Sequence, residues 1–354
     1  MLAKGAGAGK GGGPVRPPPR AIVAAMMPGK IPPPLLRRLV YPHLPRRSDL
    51  LVPAALGEDS AILDFGPSVC VATCDPITGA VQHLGRLAVH VACNDIAATG
   101  AEPVALLLTL LLPPQGREEE IDAIMREAGR AAAALGVAIA GGHTEITPRV
   151  TQPLVVVAGI GRAGRHAYVH AGGAHPGEAL LLTKAAGIEG TAILATDLAV
   201  DLAPRVPAEL LERARQFIAE VSVVPEGRIA AGAGATAMHD VTEGGVLTAA
   251  WELAEASGCG LELWAEAVPL RAETAAICAA VGADPLALIG SGAMLITTAD
   301  AQRTLEALRQ AGIAAAQVGA TRASGRVLRR GDVEEPLSPP DRDELWRILE
   351  RRRS

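Results

Sequence analysis

The chain has 354 residues, 49% hydrophobic and 20% charged, with a formal net charge of -5; its length exceeds the roughly 250–300 residues that one hydrophobic core serves, so two domains are expected. Aromatic residues are only 2% of the chain, which leaves Ala, Leu and Val to build the cores. The mild acidity gives no electrostatic footprint for nucleic acid. The longest apolar run, residues 104–112 with Thr109 inside it, is far short of the roughly 20 residues that span a bilayer.

Residues 1–26 are mostly Gly, Ala, Pro and Arg without apolar periodicity, which predicts a disordered leader, with Met26 or Met27 as an alternative start. No continuous apolar core marks a signal peptide there. Gly9-Lys10 is not a phosphate loop, because Gly11 stands where Ser or Thr is required and no strand precedes it. From about Leu35 the patterns predict a short helix, strands over 61–65 and 69–74, and a helix from Leu84 stopped by Gly100. A strand over 104–111, an amphipathic helix over 117–135 and strands over 137–140 and 154–160 follow. Residues 159–164, GIGRAG, match the dinucleotide fingerprint, but the Gly and Pro of the next segment deny it the helix N-terminus it needs.

That segment, residues 166–177, is therefore the expected boundary between an N-terminal domain, 27–165, and a second domain, 178–330. Strands over 179–183, up to Met238 and over 261–264 alternate there with helices over 209–233 and 245–256, and a helix, strand and helix reach Gln310. Residues 331–354 should form a helical tail from Asp341, with acids in its first turn and arginines in its last. The expected class is α+β. The five cysteines, Cys70, Cys74, Cys93, Cys259 and Cys278, are odd in number and mostly set in apolar runs. They read as reduced core thiols of a cytoplasmic protein, and Cys70 and Cys74 lack the second pair that a zinc site would need.

Asn94-Asp95 interrupts an otherwise apolar helix in which Leu84, Leu87, Val91 and Ala98 recur at helical steps. A carboxylate buried there has to be paired or metal-bound, because a bare buried charge is expensive. Glu58-Asp59, Asp75 and His143-Thr144-Glu145 punctuate three further apolar segments. Carboxylates gathered at element ends suit a hard cation, most simply magnesium carrying a nucleotide polyphosphate.

Taken in order, GEDSA (57–61), CDP (74–76), NDIAATGAEP (94–103), GGHTE (141–145) and HDVTEGG (239–245) make the chain resemble the AIR synthase (PurM) superfamily. Within it the resemblance is to AIR synthase-related proteins and to the hydrogenase expression/formation protein HypE. It covers about residues 35–330 and implies a PurM-like pair of domains: an N-terminal mixed-sheet domain that binds ATP and dimerises, then a C-terminal α/β domain. By that resemblance Asp59, Asp75 and Asp95 would chelate Mg2+ on ATP, with Asn94 positioning the same helix end. His143 stands where HypE and thiamine-phosphate kinases carry Asp; it is a poor magnesium ligand that could bond a phosphate, move a proton or merely cap the strand. Gly141 and Gly142 would let the backbone approach phosphate, and Thr144 and Glu145 could hold a metal-bound water. Asp240 and Glu243 would act on substrate or phosphate beside a helix N-terminus. Lys184 would either neutralise phosphate or serve as a surface lysine.

The implied activity is ATP-dependent phosphorylation of a substrate, or activation of its carbonyl or amide oxygen. The alternatives are a kinase resembling thiamine-phosphate kinase and a non-catalytic ATP-binding partner in hydrogenase maturation. The apolar runs at 104–112 and 153–160 exceed what one sheet face must bury, which predicts a homodimer through the N-terminal sheet. HypE carries a C-terminal cysteine acceptor; this sequence reads Arg351-Arg352-Arg353-Ser354 there, so no carbamoyl adduct on its own tail is expected.

Overall fold

The computed structural model describes residues 29–78 and 82–351. The expected disordered leader, both alternative starts and Ser354 lie outside the described residues. The N-terminal domain opens with α1 (Pro33–Leu39) and continues through β1 (Leu50–Val52), β2 (Ala61–Asp64), β3 (Ser68–Ile77), α2 (Leu84–Ala97) and β4 (Glu102–Leu112). It closes with α3 (Glu118–Leu135), β5 (Ala138–Ile146) and β6 (Leu154–Gly164). Six strands form one sheet in the order β1-β2-β3-β6-β4-β5, antiparallel except for the β4–β5 pair, which α3 connects as a crossover. The GIGRAG sequence is the end of β6, paired strand backbone with no phosphate-binding turn.

Period-two patterning decides which face of this sheet is covered. In β4, Leu106, Leu108, Leu110 and Leu112 are buried, whereas Val104 and Leu107 are 38% and 42% exposed. Helix α2 lies against β3 and β6 and packs on α3, so Leu106, Leu108, Leu110 and Leu112 lie on the covered face, and a register shift between Pro103 and Ala105 puts Val104 out of that alternation.

The second domain runs through β7 (Ala179–Thr183), α4 (Ile188–Asp197), α5 (Ala199–Leu202), α6 (Ala208–Gln216), α7 (Val224–Ala233), β8 (Ala235–Asp240), α8 (Gly245–Ala256) and β9 (Gly260–Trp264). It continues with α9 (Ala272–Val281), β10 (Met294–Thr298), α10 (Ala301–Gln310), β11 (Ala315–Arg322), β12 (Arg326–Arg330), β13 (Val333–Pro336) and α11 (Glu344–Arg351). Its seven strands are ordered β13-β12-β9-β11-β7-β10-β8. Central β7 and β10 are buried almost throughout, so they carry continuous apolar runs. The helix expected over 209–233 is two helices, since a 3-10 turn at Phe217–Glu220 follows α6 and Pro225 sits in the first turn of α7. The tail contributes β13 to the sheet before its helix begins, so the second domain's strands extend past residue 330.

One apolar cluster joins Leu87 and Ala88 of α2 to Val221, Val223, Val224 and Ala230 of the second domain. At its centre α2 and α7 approach so closely that a Cβ on Gly227 would sit 2.0 Å from the carbonyl oxygen of Ala97. Gly227→Ala should therefore cost about 1–3 kcal/mol by overpacking. Gly129→Ala, mid-α3 with nothing within 4 Å of the added carbon, should gain roughly 0.5–1 kcal/mol from helix propensity. Urea unfolding of both variants measures the contrast; equal midpoints would show that the domain contact is looser than described.

Candidate active site

A cavity of about 590 Å³ opens between the domains, and Asp59, Asp75, Asp95, Asp240 and Glu243 all line it. Each arrives on a different piece of backbone. Asp59 lies in the loop just before β2, Asp75 near the end of β3 and Asp95 on α2, whereas Asp240 ends β8 and Glu243 lies in the turn before α8. The β8–α8 turn needs glycine: Gly244 and Gly245 have φ of 83° and 63°, a region that side chains disfavour. Asp343, just ahead of α11, accepts hydrogen bonds from the backbone N–H groups of Gly244 (2.5 Å) and Leu345 (2.7 Å), tying the tail to this turn.

The acids are crowded and short of partners. Thr73 on β3 donates toward both Asp95 and Asp75, at 3.3 Å for the latter. Asp95 is buried, and that burial together with the Asp75, Asp240 and Asp59 charges holds its carboxyl well above the usual range. Asp59 is raised by burial, and by Asp240 and Glu252, in spite of His239. Both carboxylate oxygens of Asp240 are buried without a hydrogen-bond partner. Burial, opposed by His239 and Lys30, pushes its carboxyl up to about 6. Glu189, also in the lining, is pushed up to about 7 by burial against the pull of Ser291.

His239 has acceptors at both ring nitrogens. Nδ1 lies 2.6 Å from the Asp240 carbonyl oxygen and 3.3 Å from Asp59 Oδ1, and Nε2 lies 3.2 Å from Glu252 Oε2. Burial alone would lower its pKa, but Asp59, Glu252 and Asp240 outweigh it and push the imidazole up to about 10. Asp59, His239 and Asp240 offer ligand atoms within 4.8 Å of one another, yet an imidazolium has no lone pair to give. With an acceptor at each ring nitrogen, the His239 site favours the protonated ring. Lys30 brings a second positive charge: its backbone N–H donates to Glu243 (3.0 Å), its ammonium donates to Thr242 (3.2 Å), and Glu252 lies 3.9 Å away.

The structure does not bring every expected site residue to this cavity. Gly141, Gly142, His143, Thr144 and Glu145 lie within β5, exposed, with His143 Nε2 3.3 Å from Glu145 Oε2. The strand order separates β5 from β3 by three spacings, roughly 14 Å, so the motif is an edge strand of this subunit and not a wall of its cavity. Asn94 bonds the backbone of the second domain instead of a ligand, donating to the Val221 carbonyl and accepting from the Val223 N–H, both at 2.8 Å. The Lys184 ammonium donates to the carbonyls of Glu220, Ser222 and Gly292 and pairs with Glu226 at 2.7 Å. Its three N–H donors are engaged there, which leaves none for a phosphate.

Lys30, Glu252, Glu189 and Asp343 were missed by sequence reasoning, and His239 was seen only as part of its motif. Glu252 carried a usable signal, an acid inside the apolar WELAEA helix, the same pattern that marked Asp95. Lys30 carried none, because nothing in its Pro-rich surroundings indicates which cavity the segment crosses.

Family models described as AIR synthase related protein, N-terminal domain, and AIR synthase related protein, C-terminal domain, match residues 57–163 and 175–330. A Methanocaldococcus jannaschii protein named for hydrogenase expression/formation is 30% identical over 260 residues, 72% of this chain and 75% of its own length. Carbamoyl dehydratase HypE of Rhodobacter capsulatus is 31% identical over 263 residues, 73% of this chain and 74% of its own. The crystal structure of hydrogenase maturation protein HypE in complex with ATP shares the fold, with a TM-score of 0.65 at 24% identity, covering 88% of this chain and 96% of that one.

The raised carboxyls set a pH dependence. A carboxylate whose folded pKa exceeds its unfolded value binds more protons when folded, so stability falls as pH rises between the two values. Here the window opens near an unfolded value of about 4 and runs to about 6 for Asp240 and about 7 for Glu189 and Asp343, all raised first by burial. His239, raised to about 10, adds to the fall above its unfolded value of about 6.5. Without divalent cations, urea midpoints should therefore be lower at about pH 7.5 than at about pH 5, and magnesium should narrow the gap. A midpoint that rises over this range would refute the strain assigned to the acids.

Proposed function

As the chain belongs to the AIR synthase related protein family, we propose that its inter-domain cavity binds ATP through Mg2+. The enzyme would use that ATP to phosphorylate a substrate or to activate a carbonyl or amide oxygen. The observation that carries this reading is the meeting of Asp59, Asp75, Asp95 and Asp240, from both domains, around one cavity with both Asp240 oxygens unpartnered. Magnesium favours a few carboxylates completed by phosphate oxygens and water over an all-protein cage, and a partly satisfied set of aspartates fits it. When bound there, the ion supplies positive charge for the polyphosphate and for charge that develops during phosphoryl transfer.

The chain's own groups divide the remaining work. Asp59, Asp75, Asp95 and Asp240 hold the cation, with Thr73 fixing the rotamers of the β3 and α2 acids. Lys30 and the His239 imidazolium hold Glu252 ionised, its carboxyl pulled down to about 2 against the effect of burial. Glu189, with a buried oxygen lacking any partner and a pKa near neutrality, is placed to hold or release a proton at working pH. Closing the site between two domains keeps water from the activated intermediate.

The open face of the N-terminal sheet supports a homodimer as part of this reading. Val104, Leu107 and Ile160 are exposed on adjacent β4 and β6, and twofold pairing is the commonest way to cover such a face. Light scattering at micromolar concentration should give a dimer, and Leu107→Asp should give a monomer; a wild-type monomer would exclude this part.

Asp95→Asn tests the site itself. Titration calorimetry with ATP and magnesium should show binding to the wild type that is lost on chelation, and a reduction of tenfold or more, about 1.4 kcal/mol or greater, in the variant. The amide removes one charge from a repelling cluster, so the variant should fold with equal or higher stability. Unchanged affinity in a folded Asp95→Asn protein would remove the metal assignment.

A further inference from the structure

A second cavity, of about 800 Å³, continues from the acidic one, and Lys30, Glu243, Glu252 and Asp343 line both. Its walls differ in kind. Pro33, Leu35, Leu56, Trp251, Pro339 and Pro340 give it an apolar body, bounded by the α1 segment on one side and the approach to α11 on the other. Two guanidinium groups line it. Arg37 is spent on Glu255. Arg342 is not: Nη1 pairs with Glu350, but Nε and Nη2 are buried with no hydrogen-bond partner.

That pair of nitrogens forms the side-on edge of the guanidinium, whose two parallel N–H groups match the two oxygens of a carboxylate. Leaving such donors buried and unpaired costs stability, and the side chain is only 11% exposed, so water reaches it poorly. The adjacent Asp343 offers no remedy, because it spends its two oxygens on the backbone of Gly244 and Leu345. An unpaired guanidinium edge on a residue of the wall of an apolar groove that adjoins the acidic cavity is an arrangement suited to an acceptor pocket.

We propose that the acceptor substrate is a small molecule carrying a carboxylate on an apolar body, with the carboxylate held by Arg342 Nε and Nη2 and the body lying along Trp251 and the prolines. This names the substrate class of the proposed ATP-dependent reaction and rests on that reading. The molecule's other end then points through the shared Lys30 and Glu252 boundary toward the aspartates.

Benzoate and its neutral analogue benzamide are the probes, followed by saturation-transfer NMR on the full-length protein. Benzoate should bind and benzamide should not. Arg342→Met should weaken benzoate at least tenfold while raising the melting temperature, because it removes two buried N–H donors that lack partners and the Glu350 pair it loses is half exposed on the carboxylate side. A structural arginine would show the opposite sign in the melt, so a lower melting temperature overturns the proposal. It is also overturned by equal binding of benzoate and benzamide, by undiminished benzoate binding in Arg342→Met, or by inorganic phosphate displacing benzoate at equal concentration. Asp95→Asn separates the two claims. It should keep benzoate binding while losing ATP; lost benzoate binding with ATP intact in the wild type sinks this inference alone, and retained ATP binding in Asp95→Asn sinks only the metal assignment.

Discussion

The repulsion among buried carboxylates at the domain boundary is the constraint around which the structure is arranged. Asp59, Asp75, Asp95 and Asp240 face one cavity, and none is neutralised well enough to hold an ordinary pKa where a shift is resolved. Like charges sharing a poorly solvated site cannot all ionise cheaply. The rest of the fold must therefore supply enough binding energy to hold them there. It does so by burying the central strands of the second sheet on both faces and by running one apolar cluster across both domains.

Two polar residues singled out in the sequence are engaged by backbone at this boundary, Asn94 across it and Lys184 within the second domain beside it. Asn94 makes a two-point bond to the 221–223 backbone, and Lys184 closes three carbonyls and Glu226 into one knot. Buried amides and ammonium groups are tolerated when every donor is satisfied, and then they fix one arrangement over its alternatives. Asn94 is the direct neighbour of Asp95 on α2. The hydrogen bonds that register the second domain against this helix thus also set the distance between Asp95 and Asp240. Asn94 and Asp95 occupy one helical turn of α2, so a single sequence motif carries both.

Much of the layout was legible. Hydrophobic period located α2, β4, α3 and β6, and Asp95 stood out because an acid in an apolar helix violates the pattern that surrounds it. The β8 turn was legible for a similar reason, with polar residues and paired glycines between a strand and an apolar helix. What failed was anything that depends on strand order. GGHTE follows a strand-like run, but only the pairing of β5 at the sheet edge shows that it faces away from the cavity of its own subunit. Local pattern cannot give sheet order, since β5 and β3 look alike in sequence. The α6–α7 break was missed because Pro225 sits in an otherwise helical run and the intervening 3-10 turn keeps the apolar spacing nearly intact.

The distribution of positive charge bears on where in the cavity the proposed cation would be held. Among the described residues, Lys30 and His239 are the basic side chains in the lining, and both are spent on the Glu252 end. That end is close to neutral. At the opposite end, Asp75 and Asp95 share the Thr73 hydroxyl. A point cation gains most where carboxylates are least compensated, because the Coulomb energy of a partly buried site falls off over a few ångströms. The compact group of Asp59, His239 and Asp240 shares its two aspartates with the proposed ligand set, while its His239 ring lies against Glu252. On the proposed reading, that deficit of positive charge favours a cation beside Asp75 and Asp95, with Asp240 facing it from the second domain. The Lys30 ammonium, held between Thr242 and Glu252, lies at the boundary that the two cavities share.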